Sequence, residues 1–219
     1  MILHIPSVFE PGVLDALYDK FSQLMFDDGA NTAGYAARTV KQNQQATDTP
    51  KRKALLALIE QTLRNNPLFA SAAQPKSFPQ MLINRYTSTM SYGSHVDDSL
   101  MQGQRTDLSF TLGLTPLSNY QGGELVLEDT SGERVWKLGA GELLLYPSSY
   151  LHRVEPVVAG TRLAAVGWVR SFIRHPYQRE MLFDLDTAMR EEFDSRGKTA
   201  QFDRISRTRT NLQRLWCED

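Results

Sequence analysis

Between residues 80 and 172 the chain carries seven short runs rich in Val, Leu, Thr and Tyr, punctuated by Gly or Pro. They are Gln80 to Tyr86, Asp107 to Leu114, Glu124 to Leu127, Arg134 to Leu138, Glu142 to Tyr146, His152 to Val157 and Arg162 to Phe172. These residue types suit a pleated, half-buried surface, and Asp129-Thr130-Ser131-Gly132 has the chemistry of a hairpin turn. Seven or eight strands at this spacing imply a sandwich or jelly roll. Met1 to Ile5 adds a weak alternation that reads as a short edge strand ended by Pro6.

Helical spacing flanks the strands. From Glu10 to about Met25, the residues Val13, Leu14, Leu17, Phe21 and Leu24 recur on one face. Thr49 offers a capping hydroxyl and Pro50 the first position of a second helix, whose Leu55, Leu58, Ile59 and Leu63 form a stripe. Asn65-Asn66-Pro67 stops it, and from Phe69 onward the pattern turns to strands. Two helices therefore precede the sheet and need a face of it to cover. After it, Gln178 to Arg196 and Gln201 to Trp216 return to helical spacing, with Phe202, Ile205, Leu212 and Leu215 as a packing face. Between Asp27 and Gln45 the chain is polar and reads as a loop or irregular strand.

A chain of 219 residues with 41% hydrophobic content can bury one substantial core, so one domain over 1–219 is the economical reading. A net charge of −1 gives no reason for a nucleic-acid partner or a membrane surface. No apolar run is long enough to span a bilayer, and Met1 to Pro6 lacks the pattern of a signal peptide. The lone Cys217 excludes a disulfide framework and fits a reducing compartment, so a cytoplasmic protein is expected.

The chemistry gathers around the stretch from Arg85 to Asp97. If it is extended, His95 and Asp97 lie two residues apart on one face and can grip one metal ion. By itself a His-x-Asp pair is a common accident. His152 supplies a second imidazole, and two histidines with one carboxylate are the facial set of non-haem Fe(II) oxygenases. Arg162 follows ten residues later. Val154 to Val157 and Arg162 to Val169 read as a hairpin about Ala159-Gly160, with His152 opposite residue 165 or 166 and Arg162 displaced by about 10 to 13 Å. A guanidinium there suits the far carboxylate of a ligand that chelates the metal at its other end. 2-Oxoglutarate is such a ligand.

His95-x-Asp97, His152 and Arg162 resemble the site of the Fe(II)/2-oxoglutarate dioxygenases of prolyl-hydroxylase type. Arg85-Tyr86, Gln121-Gly122-Gly123-Glu124-Leu125 and Gly139-Ala140-Gly141-Glu142 fit the same group. Asp28-Gly29, Thr32-Ala33-Gly34, Val40-Lys41-Gln42-Asn43-Gln44 and Leu215-Trp216 extend the likeness to the bacterial PKHD-type hydroxylases over nearly the whole chain. One departure is Thr89, where relatives of prolyl-hydroxylase type often carry Gly.

The resemblance implies a mainly β fold with flanking helices (α+β) around a double-stranded β-helix, or jelly-roll, core. That core is expected over 78–175, with N-terminal helical support over 1–77 and C-terminal helices over 176–219. It implies Fe(II) as metal, 2-oxoglutarate as cosubstrate, O2, ascorbate as reductant, and hydroxylation of a small-molecule or protein substrate with release of succinate and CO2. Tyr86 reads equally as a cosubstrate contact or a core tyrosine. Lys41, Asn43 and Gln44 become candidates for the open side of the site, while Arg105 and Asp107 either meet substrate or pair with each other. Asp98 is expected to point away, and the oligomeric state, a homo-oligomer included, is left open.

The rival is a non-catalytic jelly roll in which the triad holds zinc or senses a metabolite. Structural zinc normally takes four protein ligands, so three ligands and an Arg favour the enzyme.

Overall fold

The computed structural model describes residues 1–9, 12–32, 34, 35 and 37–218, apart from the side chains of Asp15, Ala16 and Ser22. In chain order the strands are β1 (Leu3–Ile5), β2 (Phe26–Asp28), β3 (Lys41–Gln42), β4 (Gln44–Ala46), β5 (Pro75–Ser77), β6 (Met81–Tyr86), β7 (Ser91–His95), β8 (Leu100–Met101) and β9 (Gln104–Arg105). There follow β10 (Leu108–Gly113), β11 (Tyr120–Gly122), β12 (Leu125–Asp129), β13 (Gly132–Trp136), β14 (Leu143–Pro147), β15 (Leu151–Val154), β16 (Val157–Gly160) and β17 (Arg162–Ser171). The helices are α1 (Val13–Ser22), α2 (Pro50–Asn65), α3 (Pro67–Ala73), α4 (Pro176–Arg196) and α5 (Ala200–Trp216).

Two main sheets hold the site between them. The larger has eight strands in the order β1-β14-β10-β17-β6-β4-β2, with β5 added to β17, and the smaller has five in the order β13-β12-β15-β7-β3. This is the mainly β jelly roll expected. Side-chain parity sorts the larger sheet into two faces. Leu143 and Leu145 of β14, Leu108, Phe110 and Leu112 of β10, and Leu163 and Ala165 of β17 join the cluster that includes Leu17, Phe21, Leu55, Ile59 and Leu63 of the helices. Leu144 and Tyr146, the alternate residues of β14, pack with Leu125, Leu127 and Val154 of the smaller sheet. The larger sheet is thus buried on both faces: β14 reads as a nearly unbroken apolar run, while β10 alternates, its Leu108, Phe110 and Leu112 toward the helices and its equally buried Ser109 and Thr111 toward the other sheet.

Local chemistry accounts for many of the element boundaries. Thr49 Oγ1 accepts from Arg52 N at 3.2 Å and Pro50 opens α2. Asp129 and Gly132 are paired at the tip of the β12–β13 hairpin, where Asp129 Oδ1 accepts from Ser131 N at 2.8 Å. β1 pairs only with β14, as an edge strand.

Some expectations need correction, and one lies partly outside the described residues. Strands do not begin at Phe69: Asn66 caps a fresh turn by accepting from Phe69 N at 3.0 Å, Pro67 follows it, and the short helix α3 results. The first helix begins, as described, at Val13, and Glu10 lies outside the described residues, as does Ala33. Leu215 is 75% exposed and Leu58 37%, so neither shares its helix's packing face. Most consequential, the hairpin joining His152 to Arg162 does not form. β15 pairs with β12 and β7 in the smaller sheet, β17 with β10 and β6 in the larger, and β16 between them pairs with β11. Both backbone edges of β17 are instead satisfied by β10 on one side and β6 on the other, which leaves no edge over 162–169 for the segment that follows His152. Pro156, which has no N–H to give a ladder, stands where the chain leaves β15.

Candidate metal centre and cosubstrate pocket

His95 ends β7 and His152 is the second residue of β15, and the register sets them opposite each other with ring centroids 4.2 Å apart. Asp97, two residues past His95, brings Oδ2 to 3.8 Å from His152 Nε2. One donor atom from each of the three lies within 4.8 Å of the others.

Tautomer and orientation follow from the backbone. His95 Nδ1 is 2.9 Å from Gly93 O and His152 Nδ1 is 3.1 Å from Tyr150 O. A carbonyl only accepts, so each Nδ1 carries the proton and each Nε2 keeps a free lone pair. Burial, then the neighbouring His152, hold the His95 imidazole well below its ordinary pKa, which keeps it in the neutral form that a metal requires. Ser109 of β10 donates to Asp97 Oδ2 at 2.6 Å, tying the loop after β7 to the larger sheet. Nothing in the composition of the sequence marks Ser109, but its parity does. It shares a face with Thr111, and both line the cavity between the sheets.

That cavity has a volume of about 390 Å³ and is walled by the triad, Tyr86, Asn84, Trp168 and Lys41, among others. Tyr86 in its wall is almost wholly buried, and its hydroxyl accepts from Asn43 Nδ2 at 2.9 Å. Arg162 lies beside Tyr86 and outside the cavity lining, 3% exposed, paired in register with it and with its guanidinium 5.2 Å from that ring's centre. It also hydrogen-bonds the Tyr120 hydroxyl, which itself donates to Leu138 O at 2.9 Å. Among the described residues no carboxylate stands within ion-pairing distance of Arg162. Gly123 makes room for it: a Cβ there would come within 2.9 Å of Arg162 Cδ, and its φ of +69° favours glycine. The Gly-Gly motif thus has a physical meaning that spacing alone did not reveal.

The model of the 2OG-Fe(II) oxygenase superfamily matches residues 81–170. A PKHD-type hydroxylase from Idiomarina loihiensis is 47% identical over 218 residues, covering 100% of both chains. The chain belongs to the PKHD-type hydroxylases. Among solved structures, a 2OG-Fe(II) oxygenase family oxidoreductase from Burkholderia pseudomallei aligns with a TM-score of 0.59 at 18% identity, over 80% of this chain and 85% of that one. A Pseudomonas putida prolyl-4-hydroxylase aligns with a TM-score of 0.54 at 21% identity, over 78% and 92%. These share the fold. The protein is accordingly an Fe(II)- and 2-oxoglutarate-dependent dioxygenase, an oxidoreductase that uses O2 and hydroxylates a substrate.

Within this PKHD-type frame the polar segment before α2 becomes one wall of the cavity. Lys41 and Gln45 line it, and Asn43 braces Tyr86. Gln44 faces the other way and accepts from Arg85 Nε at 2.8 Å, so of the three candidates only Lys41 reaches the open side directly. Burial lowers the Lys41 pKa to about 8, against the opposing pull of Asp97. Arg105 and Asp107 pair with each other at 2.8 Å, and Arg105 also holds Glu218 at 3.0 Å, so this pair fastens the C-terminal end and does not enter the site. Asp98 is exposed but lines the cavity mouth, closer to the site than strict alternation suggested. Thr89 has a φ of +71°, a left-handed conformation that a β-branched residue rarely adopts. Asn84, Gln45 and Trp168 were not singled out from sequence. Parity finds two of them, since Asn84 shares a face with Tyr86, and Trp168 with Arg162.

Proposed function

We propose that His95, Asp97 and His152 hold the Fe(II) and that Arg162, with Tyr86 beside it, binds the far carboxylate of 2-oxoglutarate. The observation that carries this reading is the meeting of two imidazoles and one carboxylate within 4.8 Å, with both Nε2 atoms left free. That donor set fits Fe(II). A closed zinc site would need a fourth ligand, and the chain's one thiol, Cys217, is exposed near the C-terminus. Arg162 fits the cosubstrate for a separate reason. A buried cation without a carboxylate is costly until a ligand brings one, and its planar fork matches a carboxylate.

When bound, iron and 2-oxoglutarate supply the oxidation: the cosubstrate loses CO2 and becomes succinate, while a substrate C–H becomes C–OH with oxygen from O2. The chain's residues do the positioning. Ser109 restrains the Asp97 carboxylate through their 2.6 Å hydrogen bond. Arg162, beside the cavity-lining Tyr86, takes the far carboxylate, and Leu82, Leu125, Val154 and Val166 keep the walls apolar and water out. Ascorbate serves as the reductant that restores Fe(II), and the protein works in the cytoplasm, where Cys217 stays reduced. The substrate is a small molecule or a protein side chain that enters the cavity; a net charge of −1 supports neither nucleic acid nor a membrane surface as partner. No described helix is long and apolar enough to cross a membrane.

Two variants test the assignment. Folded His152→Ala should lose at least about tenfold in iron affinity and all succinate formation; wild-type iron stoichiometry in it would remove His152 from the ligand set. Arg162→Lys keeps the charge and loses the fork, so the KM for 2-oxoglutarate should rise about ten- to a hundredfold with iron content unchanged. An unchanged KM would place the anchor elsewhere.

A further inference from the structure

Lys41 is a second buried cation at the site, and the proposed cosubstrate leaves it over. Its side chain comes from β3, which pairs with β7 so that Lys41 stands opposite Tyr92, three residues before His95. It is 8% exposed, and its Nζ lies 5.1 Å from the centre of the Tyr92 ring. The ammonium has three hydrogens to donate. Among the described residues its one side-chain acceptor is Thr32 Oγ1 at 3.2 Å, and no carboxylate lies within ion-pairing distance. A desolvated ammonium with donors to spare is unfavourable unless something in the cavity receives them.

A second observation lies beside it. Thr32 Oγ1 is also 2.7 Å from Gln45 Oε1, so Thr32 bridges Lys41 to Gln45. That contact engages the amide oxygen of Gln45 and turns its nitrogen away. Gln45 is 5% exposed, and its Nε2 is buried without a hydrogen-bond partner among the described residues. Both side chains line the cavity. Thr32 thus joins an ammonium and an amide side chain in one buried cluster, each with unused hydrogens.

We propose that Lys41 and Gln45 form the substrate-recognition pole of the cavity, and that the substrate carries a carboxylate which these two side chains bind. This rests on the iron and cosubstrate reading above, which gives the far carboxylate of 2-oxoglutarate to Arg162. A carboxylate fits better than a neutral group because Lys41 is charged and the cluster adds only donors to it. It fits better than a cation because the ammonium would repel one. The carboxylate belongs to a free acid or to an acidic side chain of a peptide, and both present the same oxygens to Lys41 and Gln45. The bound carboxylate end then sets how far the rest of the substrate reaches toward His95, Asp97 and His152, so the pair determines both which substrate enters and which carbon is presented.

The test reads binding, so it does not depend on turnover. Full-length protein loaded with Zn(II) and 2-oxoglutarate is titrated, following indole fluorescence, with N-acetyl amino acids and their matched amides, and with short acidic peptides and their Gln counterparts. At least one acid should bind about tenfold or more tightly than its amide. Whether that acid is free or peptidic identifies the source. Lys41→Met should bring acid and amide within about twofold, Lys41→Arg should keep part of the preference, and Gln45→Leu should weaken the acid several-fold while sparing the amide. Amides binding as well as acids, or no acid binding at all, overturns the proposal. So does an undiminished preference in folded Lys41→Met or, if that variant does not fold, in Gln45→Leu. Competition between the acid and 2-oxoglutarate also overturns it, because Lys41 would then belong to the cosubstrate's own site. Failure of the iron assignment shows elsewhere, as wild-type protein that neither binds Fe(II) nor forms succinate.

Discussion

The two sheets that enclose the site are built to different rules. The eight-stranded sheet is covered on both faces, by helices on one side and the cavity on the other, and every residue of β10 and β14 is buried. The five-stranded sheet has one covered face. Its β13 is exposed along most of its length, and in β15 the buried His152 and Val154 alternate with the exposed Leu151 and half-buried Arg153. The metal-ligand candidates His95 and His152 are on the smaller sheet, while Arg162, Tyr86 and Ser109 are on the larger. The frame that fixes the fold therefore also carries the proposed cosubstrate anchor, and the lighter sheet brings the two proposed histidine ligands to it. Two register irregularities, in β15–β7 and in β11–β16, fall near this lighter side. Bulges re-aim side chains at such places.

This contrast predicts where substitutions hurt. Phe110, fully buried in β10, packs edge-on to Phe69 at 5.9 Å and Phe78 at 6.1 Å. Phe110→Ala should cost about 3–5 kcal/mol in urea unfolding. On exposed β13, Val135→Thr should stay within about 0.5 kcal/mol. Equal costs at the two positions would mean that the sheets share the load.

A smaller effect sharpens the same division from the loop that leads into β7. Thr89→Gly should relieve its left-handed backbone and, after glycine's own entropy cost, stabilise the protein by about 1 kcal/mol. A rise in Tm of a few degrees is the check. A loss of stability would show that the Thr89 side chain contributes more than its conformation costs.

The smallest expected effect concerns the outermost helical layer, on the larger sheet's side. Asp186 of α4 is held by Arg190 and by Arg209 of α5, whose Nε is 2.9 Å away. Burial pushes the Asp186 carboxyl up, but Ser71 and the two guanidiniums outweigh it and its pKa is lowered. A depressed folded-state pKa means the stabilisation is complete above the ordinary carboxylate value of about 4 and is lost as pH falls through the folded one. Amide exchange in α4 and α5 should therefore accelerate in that acid window, and Asp186→Asn should remove the pH dependence. An unaltered acid profile in Asp186→Asn would assign it to other carboxylates.

What the sequence determined by itself is whatever depends on near neighbours along the chain. The caps at Thr49 and Pro50, the turn at Asp129 to Gly132, the edge strand ended by Pro6 and the two-residue spacing of His95 and Asp97 are all of this kind. Each arises from steric and hydrogen-bonding preferences that act over a few residues. The pairing of distant strands is different, because any extended run offers the same backbone donors and acceptors to every other. Sequence therefore put His152 and Arg162 on one hairpin, and the folded chain separated them onto facing sheets, where β10 and β6 take both edges of β17. It likewise chose Gln44 as a candidate where parity on β4 turns Gln45 inward. The Gly123 space for Arg162, the Ser109 bond to Asp97 and the bridge from Lys41 through Thr32 to Gln45 exist only once both sheets close on one cavity. They depend on which surfaces the core leaves facing each other, and that is settled by packing across the whole chain.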